Sequence, residues 1–172
     1  MPEILHFYRE RDITNKFNMP GETYKDIISQ LKAEDIRPIK KLGRDKLNKE
    51  LEHRKDQYGE TVYIPDDALL FEFKRRFVEY KRPWMPFENI DEIKSILVDN
   101  NAHYIMAGVM FGNVSAGDKT YDRLQGMLHA IADDPILRER VHYITDYDES
   151  LSLAMSVGSD ISINVPEVGL EA

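Results

Sequence analysis

The chain has 172 residues, a formal net charge of −8 at pH 7, 42% hydrophobic and 10% aromatic residues, and no cysteine. That length suits one ordinary domain or part of a larger one, and the apolar content suffices for a packed core. A pI of about 5.2 argues against nucleic acid as the main partner, because phosphate backbones call for a broad basic face. Without cysteine there are no disulfides, thiolate metal sites or cysteine nucleophiles.

Residues Met1 to Asp12 include Glu3, Arg9, Glu10, Arg11 and Asp12, too many charges for a signal peptide. No apolar run approaches the ~20 residues of a membrane span, so a cytoplasmic protein without a membrane partner is expected. Residues 1–60 read as a helical appendage. Tyr24, Ile27, Ile28 and Leu31 mark one face of a helix over 22–34. Pro38 separates it from a second helix over 40–58, with Leu42, Leu47 and Leu51 as its apolar stripe and Gly59 as its stop. The charges Lys49, Glu50, Glu52, Arg54, Lys55 and Asp56 read as a solvent-facing surface.

Residues 61–172 change pattern. Strands over 67–73, 103–107, 141–145 and 160–165 alternate with three helices. One opens at Pro86 and Asn89, one covers 119–132 and breaks at Asp133-Asp134-Pro135, and one runs from an Asp148 cap to Val157. This alternation predicts an α/β, Rossmann-like parallel sheet.

In such a sheet the loops after the strands share one edge and converge on a ligand. Directly after the apolar run Ala68 to Phe71, five of the nine residues from Lys74 to Arg82 are cationic, which predicts an anion site. On one helix Arg76 and Lys81 would point about 140° apart, so they converge only if the chain turns between them. Pro83 disfavours helical geometry at Arg82 and supports that turn. A charge run is more often a solvated face, but Phe77, Tyr80 and Trp84 interleave these cations and Pro83 and Pro86 stiffen the exit. Gly108, Gly112 and Gly117 permit close backbone approach without matching the dinucleotide fingerprint. No two histidines have metal-ligand spacing, and no metal site is expected. His103 and His142 read as packed strand residues, and Asp146 and Asp148 as helix caps.

Arg75-Arg76-Phe77-Val78-Glu79-Tyr80-Lys81-Arg82 resembles the "KR-x-x-E-Y-K-R" segment of the α-glucan (glycogen/maltodextrin) phosphorylases. Asp134 to Val141, followed by Tyr143 to Ala154, resembles their "DP-x-x-x-x-R-(V/L)-x-(V/F)-x-E-N-Y-(D/R)-x-x-L-A" block. Gly169-Leu170-Glu171-Ala172 resembles the "(P/T)-(L/E)-E-A" that precedes "SGT-x-x-MK". The blocks keep the family's order and cover residues 60–172 best.

The resemblance implies part of the C-terminal domain of a two-domain GT-B glycosyltransferase. Its reaction would be phosphorolysis of α-1,4-glucan to glucose 1-phosphate, with pyridoxal 5′-phosphate as cofactor and inorganic phosphate and α-glucan as partners. By motif position Arg76 and Lys81 are implied to be the catalytic cations on the substrate phosphate. Arg75 is implied to contact the cofactor phosphate, Tyr147 to lie beside the cofactor ring, and Tyr80 and Glu171 to reach glucosyl hydroxyls. Three positions depart from the pattern: Glu72 replaces a small residue, Val109 a lysine and Asp146 an asparagine. The cofactor-anchoring lysine would follow Ala172, so the chain alone is expected to be inactive. A nucleotide-sugar glycosyltransferase similar to glycogen synthase and a non-catalytic remnant or interaction module stay open as alternatives, as does homo-oligomer formation.

Overall fold

A computed structural model describes residues 32–109 and 118–170. Four strands, β1 Leu69–Lys74, β2 Ala102–Ala107, β3 Val141–Ile144 and β4 Ile161–Ser162, form one sheet in the order β3-β2-β1-β4. Every pairing is parallel, with Phe71 opposite both Tyr104 and Ile161, and Met106 opposite Tyr143. The α/β architecture read from the alternating pattern is the one observed. The helices are α1 Ala33–Leu51, α2 Ile90–Asp99, α3 Lys119–Asp133, α4 Pro135–Arg140 and α5 Glu149–Gly158.

Side chains alternate across a strand, and here they feed two cores. On one face Phe73, Tyr104, Met106 and Val141 pack with Leu97 of α2, Ile131 of α3 and Leu137 of α4. On the other, Leu70, Ile105 and Ile144 pack with Leu47 and Leu51 of α1 and with Leu151 and Met155 of α5. The result is three layers, helix on sheet on helix.

Helix α1 runs through Pro38, which was expected to precede it. A proline inside a helix costs about 3 kcal/mol. Leu47 and Leu51 are fully buried, and such burial contributes about 1.5–3 kcal/mol for each side chain, enough to keep the helix whole. Its contact with α5 is close: a Cβ added to Gly43 would fall within 3.0 Å of the Val157 carbonyl, and one on Gly158 within 3.0 Å of the Leu47 side chain. The helix stops at Leu51 rather than at Gly59, which lies in a turn at φ 76°. Arg54 and Asp56, read as solvent-facing, are only 7% and 6% exposed. Most of the helix expected over 22–34 falls outside the described residues.

Three further details position the sheet. Asp134 does end α3, but its carboxylate accepts from the Ile136 and Leu137 amides and starts α4 at once, with Pro135 at the first position. β4 is shorter than the expected 160–165, although the Asp160 and Ile163 amides still bond to the β1 carbonyls of Leu70 and Glu72. The outer edge of β3 is closed by one side chain: Gln57 donates to the Val141 carbonyl at 2.9 Å and accepts from the Tyr143 amide at 2.7 Å, satisfying an otherwise open edge.

Candidate phosphate-binding edge

The strand order runs outward from β1 through β2 to β3 and then returns to place β4 on the other side of β1. A reversal of this kind is a topological switch point, and ligands of open α/β sheets bind beyond the carboxyl ends of the strands there. The cationic stretch lies at that position. It leaves β1 at Lys74, forms a single-residue bridge at Phe77, whose amide donates to the Val109 carbonyl, and then makes a 3-10 turn over Glu79–Lys81. The turn that convergence of Arg76 and Lys81 requires is therefore present.

Lys74 and Arg82 help to hold the loop in shape. Lys74 pairs with Glu72 at 3.0 Å and donates to the Ser156 hydroxyl on α5. Glu72 itself is 3% exposed, and Lys74 holds one of its carboxylate oxygens, Oε1, inside the sheet–helix layer. Arg82 adopts φ 45°, ψ 55°, a left-handed conformation that costs a non-glycine residue roughly 1–2 kcal/mol. Its guanidinium donates to the Val165 and Pro166 carbonyls at 2.8 and 3.0 Å. The Glu167 amide donates to the Tyr80 carbonyl at 2.8 Å, so the loops after β1 and β4 are joined at the switch point.

Arg75 is half-buried and Arg76 exposed, while Lys81 is 7% exposed, with its Nζ 5.6 Å from the Tyr80 ring centre. A Cβ on Gly108 would fall within 3.0 Å of the Arg75 carbonyl oxygen, so the loop after β2 presses directly on the cationic loop. Tyr147, after β3, is half-buried against the core shared by α1 and α5. Arg75, Arg76, Tyr80, Lys81 and Tyr147 thus all follow the carboxyl ends of parallel strands. Glu171, Gly112 and Gly117 lie outside the described residues.

Electrostatics of the flanks were less legible. Asp148 caps α5 through the Leu151 amide at 2.8 Å, as expected. Asp146 instead offers its carbonyl to Arg54. Arg54 keeps the sequence spacing of Leu47 and Leu51 although it lies beyond the helix end, a signal that its charge obscured. His103 Nδ1 and His142 Nε2 are 3.3 Å apart with rings inclined by 12°, and Asp56 lies 3.9 Å from His142 Nδ1. Burial foremost, then the charges of His142, Arg140 and Arg44, hold the His103 pKa down at about 4.

A cleft of about 450 Å³ opens at the opposite sheet edge, lined by Arg37, Lys40, Lys41, Arg44, Asp66 and Asp160 among others. Most of its charges pair with one another, Arg44 with Asp160 at 3.0 Å and Lys41 with Asp66 at 2.6 Å. It serves as a structural ion-pair network, away from the switch point. Among the described residues no helix is long and apolar enough to cross a membrane.

No family model matches the chain. Glycogen phosphorylase of Aquifex aeolicus is 29% identical over 157 residues, which cover 90% of this chain and 22% of that protein. Maltodextrin phosphorylase of Thermococcus litoralis is 23% identical over 129 residues, 73% of this chain and 15% of that protein. The chain is similar in sequence to proteins named glycogen phosphorylase and maltodextrin phosphorylase. It spans about a fifth of their length or less; of the two phosphorylase-like motifs, Arg75 to Arg82 forms the loop after β1 at the switch point, and Asp134 to Ala154 covers α4, β3 and the start of α5.

Proposed function

We propose that this chain carries the phosphate-facing part of an α-glucan phosphorylase site, acting in the phosphorolysis of α-1,4-linked glucan to glucose 1-phosphate. The observation that carries the reading is the position of the cationic loop at the β1/β4 switch point, braced there by Lys74 and Arg82. Arg76 and Lys81 hold the substrate orthophosphate. A guanidinium offers paired donors and an ammonium a point charge, and together they stabilise negative charge that builds on the phosphate during transfer. Tyr80 and Glu171 reach the glucosyl hydroxyls.

Pyridoxal 5′-phosphate fits the residues available on this edge. Arg75 supplies a half-buried cation directly after β1, and Tyr147 offers an aromatic ring backed by apolar core. When bound, the cofactor supplies a second phosphate beside the substrate phosphate. The role of Arg75 is to bind and neutralise that group, and the role of Tyr147 is to orient the ring. A cytoplasmic location agrees with metabolism of a soluble glucan.

The test separates this reading from transfer out of a nucleotide sugar. Calorimetric titration with orthophosphate, and with ADP-glucose or UDP-glucose, should give saturable binding for orthophosphate and none for the nucleotide sugars. Saturation by a nucleotide sugar with no response to orthophosphate would replace the phosphorylase reading with that of a nucleotide-sugar glycosyltransferase.

A further inference from the structure

We infer that Arg54 is a positioning residue: it fixes the loop after β3 from both sides of Tyr147 and so sets where that ring stands. The inference rests on the reading of Tyr147 as a cofactor-facing residue. Its geometric part stands independently.

Arg54 lies just beyond the end of α1 and is 7% exposed. Its Nη1 donates to the Asp146 carbonyl and lies 3.6 Å from the Asp146 carboxylate. Its Nη2 reaches both Asp148 carboxylate oxygens, at 2.9 and 2.8 Å, and Glu50 Oε1 at 2.6 Å. One guanidinium thus grips the residue before Tyr147 by its backbone and the residue after it by its side chain. Asp148 also accepts from the Leu151 amide, which refers the clamp to the first turn of α5. Tyr147 packs against the core that α1 and α5 share. With both neighbours held, its backbone has little freedom left.

The charge balance agrees. Burial opposes the Arg54 cation, but the hydrogen bonds it donates to Asp148 and Glu50 outweigh that and raise its pKa above the ordinary guanidinium value. Arg54 in turn is the foremost cause holding Asp148 and Glu50 below the usual carboxylate range. A lysine could supply the charge but not the planar fork that spans a carbonyl and a carboxylate together. A tie needed only to join α1 to α5 would not require contacts on both sides of Tyr147.

The experiment places 3-fluorotyrosine at Tyr147, and separately at exposed Tyr63 as a reference, in the wild type, Arg54→Lys and Asp148→Asn. Fluorine spectra should show one sharp Tyr147 line in the wild type, a shifted or broadened one in both variants, and an unchanged Tyr63 line throughout. A Tyr147 line unmoved in both variants overturns the inference. Pyridoxal 5′-phosphate titrations then test the link to the site. Arg54→Lys should weaken binding about tenfold in the wild-type background and less than about twofold in Tyr147→Ala, the non-additivity expected of coupled neighbours. Equal losses in both backgrounds would mean that Arg54 does not act through Tyr147. Absence of cofactor binding by the wild type would refute the cofactor reading, and the fluorine spectra would still decide the clamp.

Discussion

The α-carbon of Gly108 faces the carbonyl oxygen of Arg75 so closely that an added Cβ would fall within 3.0 Å of it. The atom in the way is backbone, so relief requires a shift of the cationic loop itself. Phe77, two residues on, is bonded to the Val109 carbonyl at 3.1 Å, which couples the loops after β1 and β2. Gly108→Ala should therefore lower stability by about 1–3 kcal/mol, the usual cost of overpacking, and weaken orthophosphate binding as well. Denaturant unfolding and phosphate titration of the same variant check both effects. Unchanged phosphate affinity would show that Arg75 and its neighbours do not depend on this contact.

The second close approach lies far from the site. Gly43 of α1 meets the Val157 carbonyl of α5, and the two helices seal the apolar core beneath them. Gly43→Ala should shift the denaturant midpoint downward by about 1–3 kcal/mol of stability and leave phosphate affinity as it is. The contrast with Gly108→Ala distinguishes a fold contact from a site contact. Equal loss of phosphate binding in both variants would remove that distinction.

His103 makes the fold pH-sensitive. Its ordinary pKa is 6.5 and its folded value about 4, so between those values the unfolded chain binds more protons than the folded one. Stability from this group is then complete above about pH 6.5 and declines as the pH falls toward 4. Asp56 and His142 face the same ring network, and Arg140 and Arg44 add positive charge. The depressed carboxylates Asp148 and Asp134 act lower, as the pH falls below the ordinary Asp value of about 3.9. Denaturant melts at pH 7 and pH 4.5 should show a stability loss in the wild type that is smaller in His103→Gln. An identical loss in the variant would assign the effect to other groups.

How much of this was legible depended on whether the cause was local. The sequence positions of β1, β2 and β3 followed from apolar runs, and the starts of α2 and α5 from Asn89 and Asp148, each a side chain that caps its own helix. The edge position of the cationic loop followed from β1 entering it directly. What failed was set by distant partners. Pro38 reads as a break until the packing of Leu47 and Leu51 is known, and Arg54 reads as surface until the loop around Tyr147 folds over it. Gly43 carries no signal without α5, which lies more than a hundred residues away. Gln57 closes the β3 edge by two side-chain bonds, a use that no periodicity announces.

The central claim is that the loop after β1 holds phosphate through Arg76 and Lys81. Calorimetric titration of orthophosphate into the wild type, Arg76→Ala and the Arg76→Ala, Lys81→Ala double variant tests it most directly. Arg76 is exposed, so its single variant separates ligand contact from any change in packing at buried Lys81. The account predicts saturable binding by the wild type, competed by sulfate, weakened about ten- to a hundredfold by Arg76→Ala, since one lost charge-assisted hydrogen bond is worth about 1.5–3 kcal/mol, and abolished in the double variant. Equal affinity for orthophosphate in all three proteins would contradict it.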